Sequence, residues 1–197
     1  GPSTAAASLG TLVHALAEEN PHGSAQELTE ALEARIEELG YNLDTWAGRV
    51  ADRHAREIVN NLASYVVGVP GEVTVEQTVS SEVEGVTIRG RMDRLEQVDE
   101  GVRVTDLKTG KSGYTKASVA ENPQLAAYQM AMLASGEKVA GARIALLGGS
   151  KPQIYDQPAL QGEELERWRE SVREVALSAR GPYFEARPSQ EACRYCS

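Results

Sequence analysis

Cysteine is almost missing from this chain: the only two, Cys193 and Cys196, stand at its far end. No disulfide framework organises the fold, and a small secreted domain stapled by bridges is excluded. Aromatic residues make up 5%, with a single Phe, so the core has to be built mainly from aliphatic side chains. No apolar run approaches the ~18 residues of a membrane helix, and no signal-like N-terminus is present. The expectation is a soluble, cytoplasmic protein with no membrane partner. Positive charge is also short: 20 Lys and Arg face 29 Asp and Glu, a formal net charge of −9, which suits a protein poorly for gripping a nucleic-acid duplex alone. What is present is enough for a single domain, since 197 residues can bury a sizeable core without metal or disulfide staples. Gly1-Pro2-Ser3 reads as a scar of protease cleavage after expression, outside the fold, and the natural chain is expected to extend further upstream.

Periodicity organises the first third as helices. From Ser8 to Glu19, Leu9, Leu12, Val13 and Leu16 recur at helical spacing with His14 beside the stripe. A lone His on a helix is most often a satisfied or solvated side chain, and His22 and His54 read the same way. Ser24 with Glu27 three residues on is a capping-box signature, followed by Leu28, Leu32, Ile36 and Leu39 along one face until Gly40. A third helix spans about Asp44 to Tyr65, with Trp46, Val50, Ile58 and Leu62 on its apolar face and Arg49, Arg53 and Arg56 elsewhere, read as solvated in preference to lining a DNA path. After Pro70-Gly71 the pattern changes to period two at Val73 to Val79. Further on, Asn122-Pro123 reads as an N-cap with proline at the first helical position. It opens a helix carrying Gln124, Leu125, Tyr128 and Met132. Val139 to Leu147 and the stretch around Ile154 read as strands. Gly162 to Ala179 reads as an amphipathic helix with Leu165, Trp168, Val172 and Val175 inward.

The chemistry concentrates between Arg89 and Lys111. Glu84-Gly85 reads as a hairpin turn, and the strand after it delivers Asp93 near its far end. In the next strand Asp106 and Lys108, two apart, share one face. If the strands pair antiparallel, Asp93 approaches Asp106. Two hard carboxylates on one face suit Mg²⁺ or Mn²⁺, although a pair of hairpins with ordinary solvated charges fits the spacing equally well. From Thr87 to Lys116 the balance is locally basic, seven cations against five acids. Arg89, Arg91, Arg94, Lys111 and Lys116 are therefore candidate DNA contacts, set against the reading of a mixed solvated face. Gly110-Lys111-Ser112 does not complete a phosphate loop, because Thr105 stands where the motif needs its first glycine.

Gly-Arg-Met-Asp-Arg, then Asp-Leu-Lys-Thr-Gly-Lys, then Pro-Gln-Leu-Ala-Ala-Tyr-Gln resembles, in the same order, the RecB-type branch of the PD-(D/E)xK nuclease superfamily. The resemblance runs from Gly10 to Cys196. It implies an α/β, restriction-endonuclease-like core: a mixed β-sheet of about five strands flanked by helices, preceded by an N-terminal helical segment. Residues 4–70 would form that helical part, 71–187 the catalytic core with its C-terminal helix, and 188–197 a truncated cysteine tail. Gly10-Thr11-Leu12-Val13-His14 is similar to the family's N-terminal motif, which places His14 among the metal ligands with Asp93, Asp106 and the backbone carbonyl of Leu107. Lys108 would orient the attacking water or stabilise developing charge. Gln124 and Tyr128, matching Gln-x-x-x-Tyr, would contact the substrate backbone or orient Lys108. Glu76 stands where the family often has a glutamate, and no catalytic role is assigned to it.

The resemblance further implies a deoxyribonuclease, an exonuclease preferring single-stranded DNA, that works with a helicase domain or partner subunit in double-strand-break end processing, as in a RecB-like or AddB/AdnB-like helicase–nuclease. The alternative is a catalytically silent nuclease fold that binds DNA or serves as a scaffold in such a complex. Cys193 and Cys196 resemble two of the four cysteines that hold a [4Fe–4S] cluster in several members. Two thiolates cannot complete such a site, so the cluster is expected only in a longer native protein.

Overall fold

The computed structural model of the chain describes residues 2–69, 71–178 and 183–185. Helix α1 (Pro2–Glu19) is followed by α2 (Ala25–Arg35), a 3₁₀ turn (Ile36–Leu39) and α3 (Trp46–Val67). Strands β1 (Val73–Val83), β2 (Val86–Val98) and β3 (Gly101–Lys108) come next. Then follow α4 (Lys116–Ala120), α5 (Pro123–Ala134), β4 (Val139–Leu146), β5 (Gln153–Pro158), α6 (Gly162–Ser178) and β6 (Tyr183–Glu185). Local chemistry sets several of these boundaries. Ser24 and Glu27 form the reciprocal capping box of α2. The Thr45 side chain accepts from Gly48 N at the start of α3, and Asn122 accepts from Leu125 N with Pro123 in the first turn of α5.

The sheet runs β1-β2-β3-β4-β5. All neighbours are antiparallel except β3 and β4, which are parallel and joined through α4 and α5. This is the expected mixed sheet of five strands between helices. A short sixth strand, β6, pairs parallel with Thr87 to Arg89 of β2. Glu84 (φ 51°) and Gly85 (φ 77°) are both left-handed in the two-residue turn between β1 and β2, the backbone that matches strand twist in tight hairpins.

Side chains alternate across β3 and divide the core. Leu107 faces one way and joins Leu12, Leu16, Leu28, Ile58 and Leu62 of the N-terminal helices. Val102 and Val104 face the other way and pack with Leu125 and Tyr128 of α5 and Trp168 of α6. The sheet thus lies between two helical layers, and the end of β3 emerges where both meet. One expectation needs correcting. Trp46 and Val50 are 74% and 40% exposed, because the apolar stripe of α3 engages the core only from Ala55 onward.

Candidate active site

The pairing of β2 with β3 sets Arg94 opposite Thr105, which brings Asp93 beside Asp106 one step further along the ladder. Asp93 is fixed at both oxygens. Leu107 N donates to its Oδ2 at 2.8 Å, and His14 Nδ1, reaching across from α1, lies 3.3 Å from its Oδ1. On the adjacent face of β3, Lys108 Nζ sits 3.0 Å from Asp106 Oδ2. The four side chains, spread over ninety-odd residues of sequence, form one cluster at the end of the sheet.

Their electrostatics interlock. The hydrogen bond to Asp93 raises the pKa of His14 above its usual value, against the opposing effect of burial. Burial pushes the Asp106 carboxyl up and the nearby Asp93 adds to it, while Lys108 works in the opposite direction. Burial alone would lower Lys108, but the carboxylate of Asp106 outweighs it and holds the ammonium charged well above the ordinary lysine range. With the Asp106 carboxylate beside it, Lys108 is a cation in the chain by itself.

Glu76 joins this cluster, which the sequence pattern does not reveal. The β1–β2 register is continuous on either side, Val75 with Arg94 and Gln77 with Met92, and Glu76 falls between them with φ 51°. A left-handed non-glycine residue inside a strand costs about 1–2 kcal/mol and turns its carboxylate towards the site. Ligand atoms of His14, Glu76 and Asp93 all lie within 4.8 Å of one another. One imidazole nitrogen with two carboxylates is a donor set that fits Mn²⁺ or Mg²⁺. In the chain by itself the Glu76 carboxylate is ion-paired to the Arg91 guanidinium, which also lies 3.8 Å from Glu18.

Gln124 and Tyr128 are a linked pair, with Gln124 Nε2 donating to the Tyr128 hydroxyl at 3.1 Å. That hydroxyl donates to the Arg91 carbonyl at 3.0 Å, so Tyr128 is tied to β2 and makes no direct hydrogen bond to Lys108. Gly90 is required for this packing, since a Cβ there would come within 2.4 Å of the Tyr128 ring. Burial raises the pKa of Tyr128, with Asp106 and Asp93 contributing.

The candidate DNA contacts separate. Lys111 and Lys116 are exposed, as is Arg89. Arg91 is exposed but engaged by Glu76 and Glu18. Arg94 is corrected: it is 0% exposed, points into the protein, and bonds Glu96 Oε1 at 3.2 Å and the Pro21 carbonyl at 2.9 Å. It cannot touch a DNA backbone. Cys193 and Cys196 lie outside the described residues.

Among solved structures the chain is similar to SSO0001, at 15% identity and a TM-score of 0.39, over 98% of this chain and 81% of that one. It is also similar to a candidate exonuclease from Eubacterium rectale, at 18% identity and a TM-score of 0.49, over 87% of this chain and 66% of that one. No curated protein matches. A family model matches the whole of residues 1–197, and by it the chain belongs to the PD-(D/E)XK nuclease superfamily.

Proposed function

We propose that this nuclease domain hydrolyses DNA phosphodiester bonds with Mg²⁺ or Mn²⁺, acts as an exonuclease with a preference for single strands, and serves a helicase–nuclease that processes double-strand breaks. The observation that carries the reading is the convergence of His14, Glu76 and Asp93 beside the Asp106–Lys108 pair at one end of the sheet. Members of this superfamily generally use divalent metals. His14, Asp93, Asp106 and the Leu107 carbonyl, with Glu76 added, would hold the ion here. Bound there, it would supply Lewis-acid polarisation of a phosphoryl oxygen and a water of lowered pKa.

The chain's own residues do the rest. Leu107 N and His14 hold Asp93 in one orientation. Lys108, kept cationic, faces the phosphoryl oxygens where negative charge develops. Gln124 and Tyr128 border the site: Gln124 has amide capacity left for the substrate backbone, and Tyr128, its hydroxyl taken by Gln124 and the Arg91 carbonyl, positions it. The acidic balance of the chain favours a single strand over a duplex and assigns most of the DNA affinity to a helicase domain or partner subunit. Cys193 and Cys196 would supply two of four cluster ligands in a longer native protein, and two thiolates alone do not fit a cluster. A colourless, iron-free longer protein would count against that assignment.

The test is cleavage of end-labelled single-stranded DNA in Mn²⁺, Mg²⁺ or EDTA. Wild type should cut only with metal, and Asp106→Ala and Lys108→Ala should each lose about 10²–10³-fold in rate. Cutting by Asp106→Ala at the wild-type rate, or none by folded wild type, would overturn the proposal.

A further inference from the structure

Between α3 and the loops that leave β3 and β4 lies a cavity of about 390 Å³, lined by Glu57, Asn60, Asn61, Lys111 and the turn from Gly148 to Ser150. Because β3 and β4 are parallel neighbours, both strands send their following loops to the same end of the sheet, the end that carries Asp106 and Lys108. Carboxyl ends of parallel strands are where open α/β sheets collect ligands. Lys111 on the cavity wall follows Lys108 by three residues at this end of the sheet, with α3 on one face and the Asp106 and Lys108 side chains turned to the α5 face by strand alternation.

Its walls are held in place. Asn61, 7% exposed, donates its amide to the carbonyls of Leu147 at 2.7 Å and Gly149 at 2.8 Å, which pins the turn after β4 onto α3. Gly148 N donates to Gly110 O at 3.0 Å. A Cβ at Gly148 would come within 2.3 Å of Thr109 O, so the two loops pack backbone against backbone. Such a wall is preformed and does not have to be ordered by a ligand.

Three polar groups of the lining, on Lys111, Ser150 and Asn60, are left over. Arg35, Arg56, Arg91, Arg143, Arg167 and Arg173 are all occupied by carboxylates. Lys111, by contrast, makes no ion pair among the described residues, and neither the Ser150 hydroxyl nor the Asn60 side-chain amide makes a hydrogen bond there. Glu57 stands on the α3 wall, with its carboxylate 3.8 Å from His54 Nδ1. No aromatic side chain lines the cavity, so base stacking is not its mode of binding.

We propose that this cavity is a second subsite for the substrate strand: it receives sugar–phosphate backbone at the same end of the sheet, on the α3 side of the bond that is cut. Lys111 and Ser150 take the phosphate, and Asn60 donates from the opposite wall. The assignment rests on the nuclease reading above and adds to it a contact made outside the reaction centre.

The test measures binding of a labelled oligothymidylate of roughly 12 nucleotides, a length within the range of single-strand sites. Fluorescence anisotropy is followed from about 50 to 200 mM salt, with Ca²⁺ in place of Mg²⁺. Lys111→Ala should raise the dissociation constant roughly threefold or more. It should also reduce the slope of log K against log salt by about 0.7, the value for one phosphate of a single strand. Asn60→Asp, of equal size but anionic, should weaken binding at least as much. Lys138→Ala removes an equal charge at the other end of β4, about 25 Å away, and should bind as wild type. Equal weakening by Lys138→Ala, or wild-type binding by both Lys111→Ala and Asn60→Asp, overturns the subsite. Hydrolysis of bis(4-nitrophenyl) phosphate by wild type with Mn²⁺ distinguishes the two levels. If wild type hydrolyses it while both cavity variants bind DNA normally, only the subsite falls. If wild type neither hydrolyses it nor binds DNA, the nuclease reading falls and the subsite with it.

Discussion

Glu96 is wholly buried behind the catalytic strands, and replacing it with Gln should be among the most damaging single changes in the chain. Its Oε1 accepts from the Tyr65 hydroxyl at 2.8 Å and from Arg94 Nε at 3.2 Å. Its Oε2 accepts from Arg103 Nη2 at 2.8 Å and from the Thr105 hydroxyl at 2.9 Å. Burial and this carboxylate together push the Tyr65 phenol up to about 12, so Tyr65 remains a donor at any physiological pH. Gln keeps the volume, removes the charge, and turns an NH₂ donor towards Arg103 or Arg94, which have no acceptor to offer. Arg103 is partly exposed and can recover water; the one oxygen Gln retains can still face Arg94 and Tyr65, but Arg94 is 0% exposed and loses its counter-charge in either orientation of the amide.

Removing one partner of a buried ion pair costs about 3–5 kcal/mol. At roughly 2–4 °C per kcal/mol for a chain of this size, the melting temperature should fall by about 6–20 °C. Urea denaturation and calorimetry of wild type, Glu96→Gln, Arg94→Met and the double variant form the assay. The double variant should be less destabilised than the sum of the singles, by about 1–3 kcal/mol. A Glu96→Gln protein within about 1 kcal/mol of wild type, or strictly additive singles, would refute the argument.

Metal binding should depend on the proton of His14. Its folded pKa is raised by Asp93, so the charged pair stabilises the metal-free fold fully below about 6.5 and loses that contribution as pH climbs through the raised value. A metal ligand must be neutral, so Mn²⁺ affinity should increase across that same window with proton release, read by titration calorimetry in buffers of different ionisation heat; affinity flat across the window would exclude His14 as a ligand. Gly90→Ala should push the Tyr128 ring off the Arg91 carbonyl, lowering the cleavage rate at a stability cost of about 1–3 kcal/mol. An unchanged rate would show that Tyr128 placement is immaterial. Arg91→Ala removes the cation that competes for Glu76, so Mn²⁺ should bind more tightly, and weaker binding in calorimetry would contradict that competition.

Features encoded within a few residues were legible in the sequence. The Ser24–Glu27 capping box, the Glu84-Gly85 turn and the Asn122-Pro123 helix start each depend on local hydrogen bonds or dihedral preferences, and the structure contains all three. The side-by-side placement of Asp106 and Lys108 follows from strand alternation. Features that depend on distant partners were not legible. Arg94 stands in an arginine-rich run beside Asp93 and looks like surface. What buries it is Glu96 on the same face of β2, together with Arg103 and Thr105 from β3 and Tyr65 from α3. Glu76 keeps its place in the period-two pattern of β1, and it is the β1–β2 register, set by residues far apart in sequence, that puts it opposite Asp93 and close to His14. Trp46 and Val50 continue the period of α3, but among the described residues no element covers them.

The two buried glutamines have a consequence for how the active site handles motion. Gln129, from the middle of α5, bonds Gln157 Oε1 and the Pro158 carbonyl in β5 and accepts from Leu160 N. Gln157 in turn donates to the carbonyls of Val119, Ala120 and Asn122, just ahead of α5. The helix that carries Gln124 and Tyr128 is thus bolted to the sheet at its start and at its middle. The loop from Thr109 to Tyr114 takes no part in that clamp. The position of Tyr128 is therefore set by the sheet and not by that loop, so a change of sequence within the loop leaves the ring and its bond to the Arg91 carbonyl where they are.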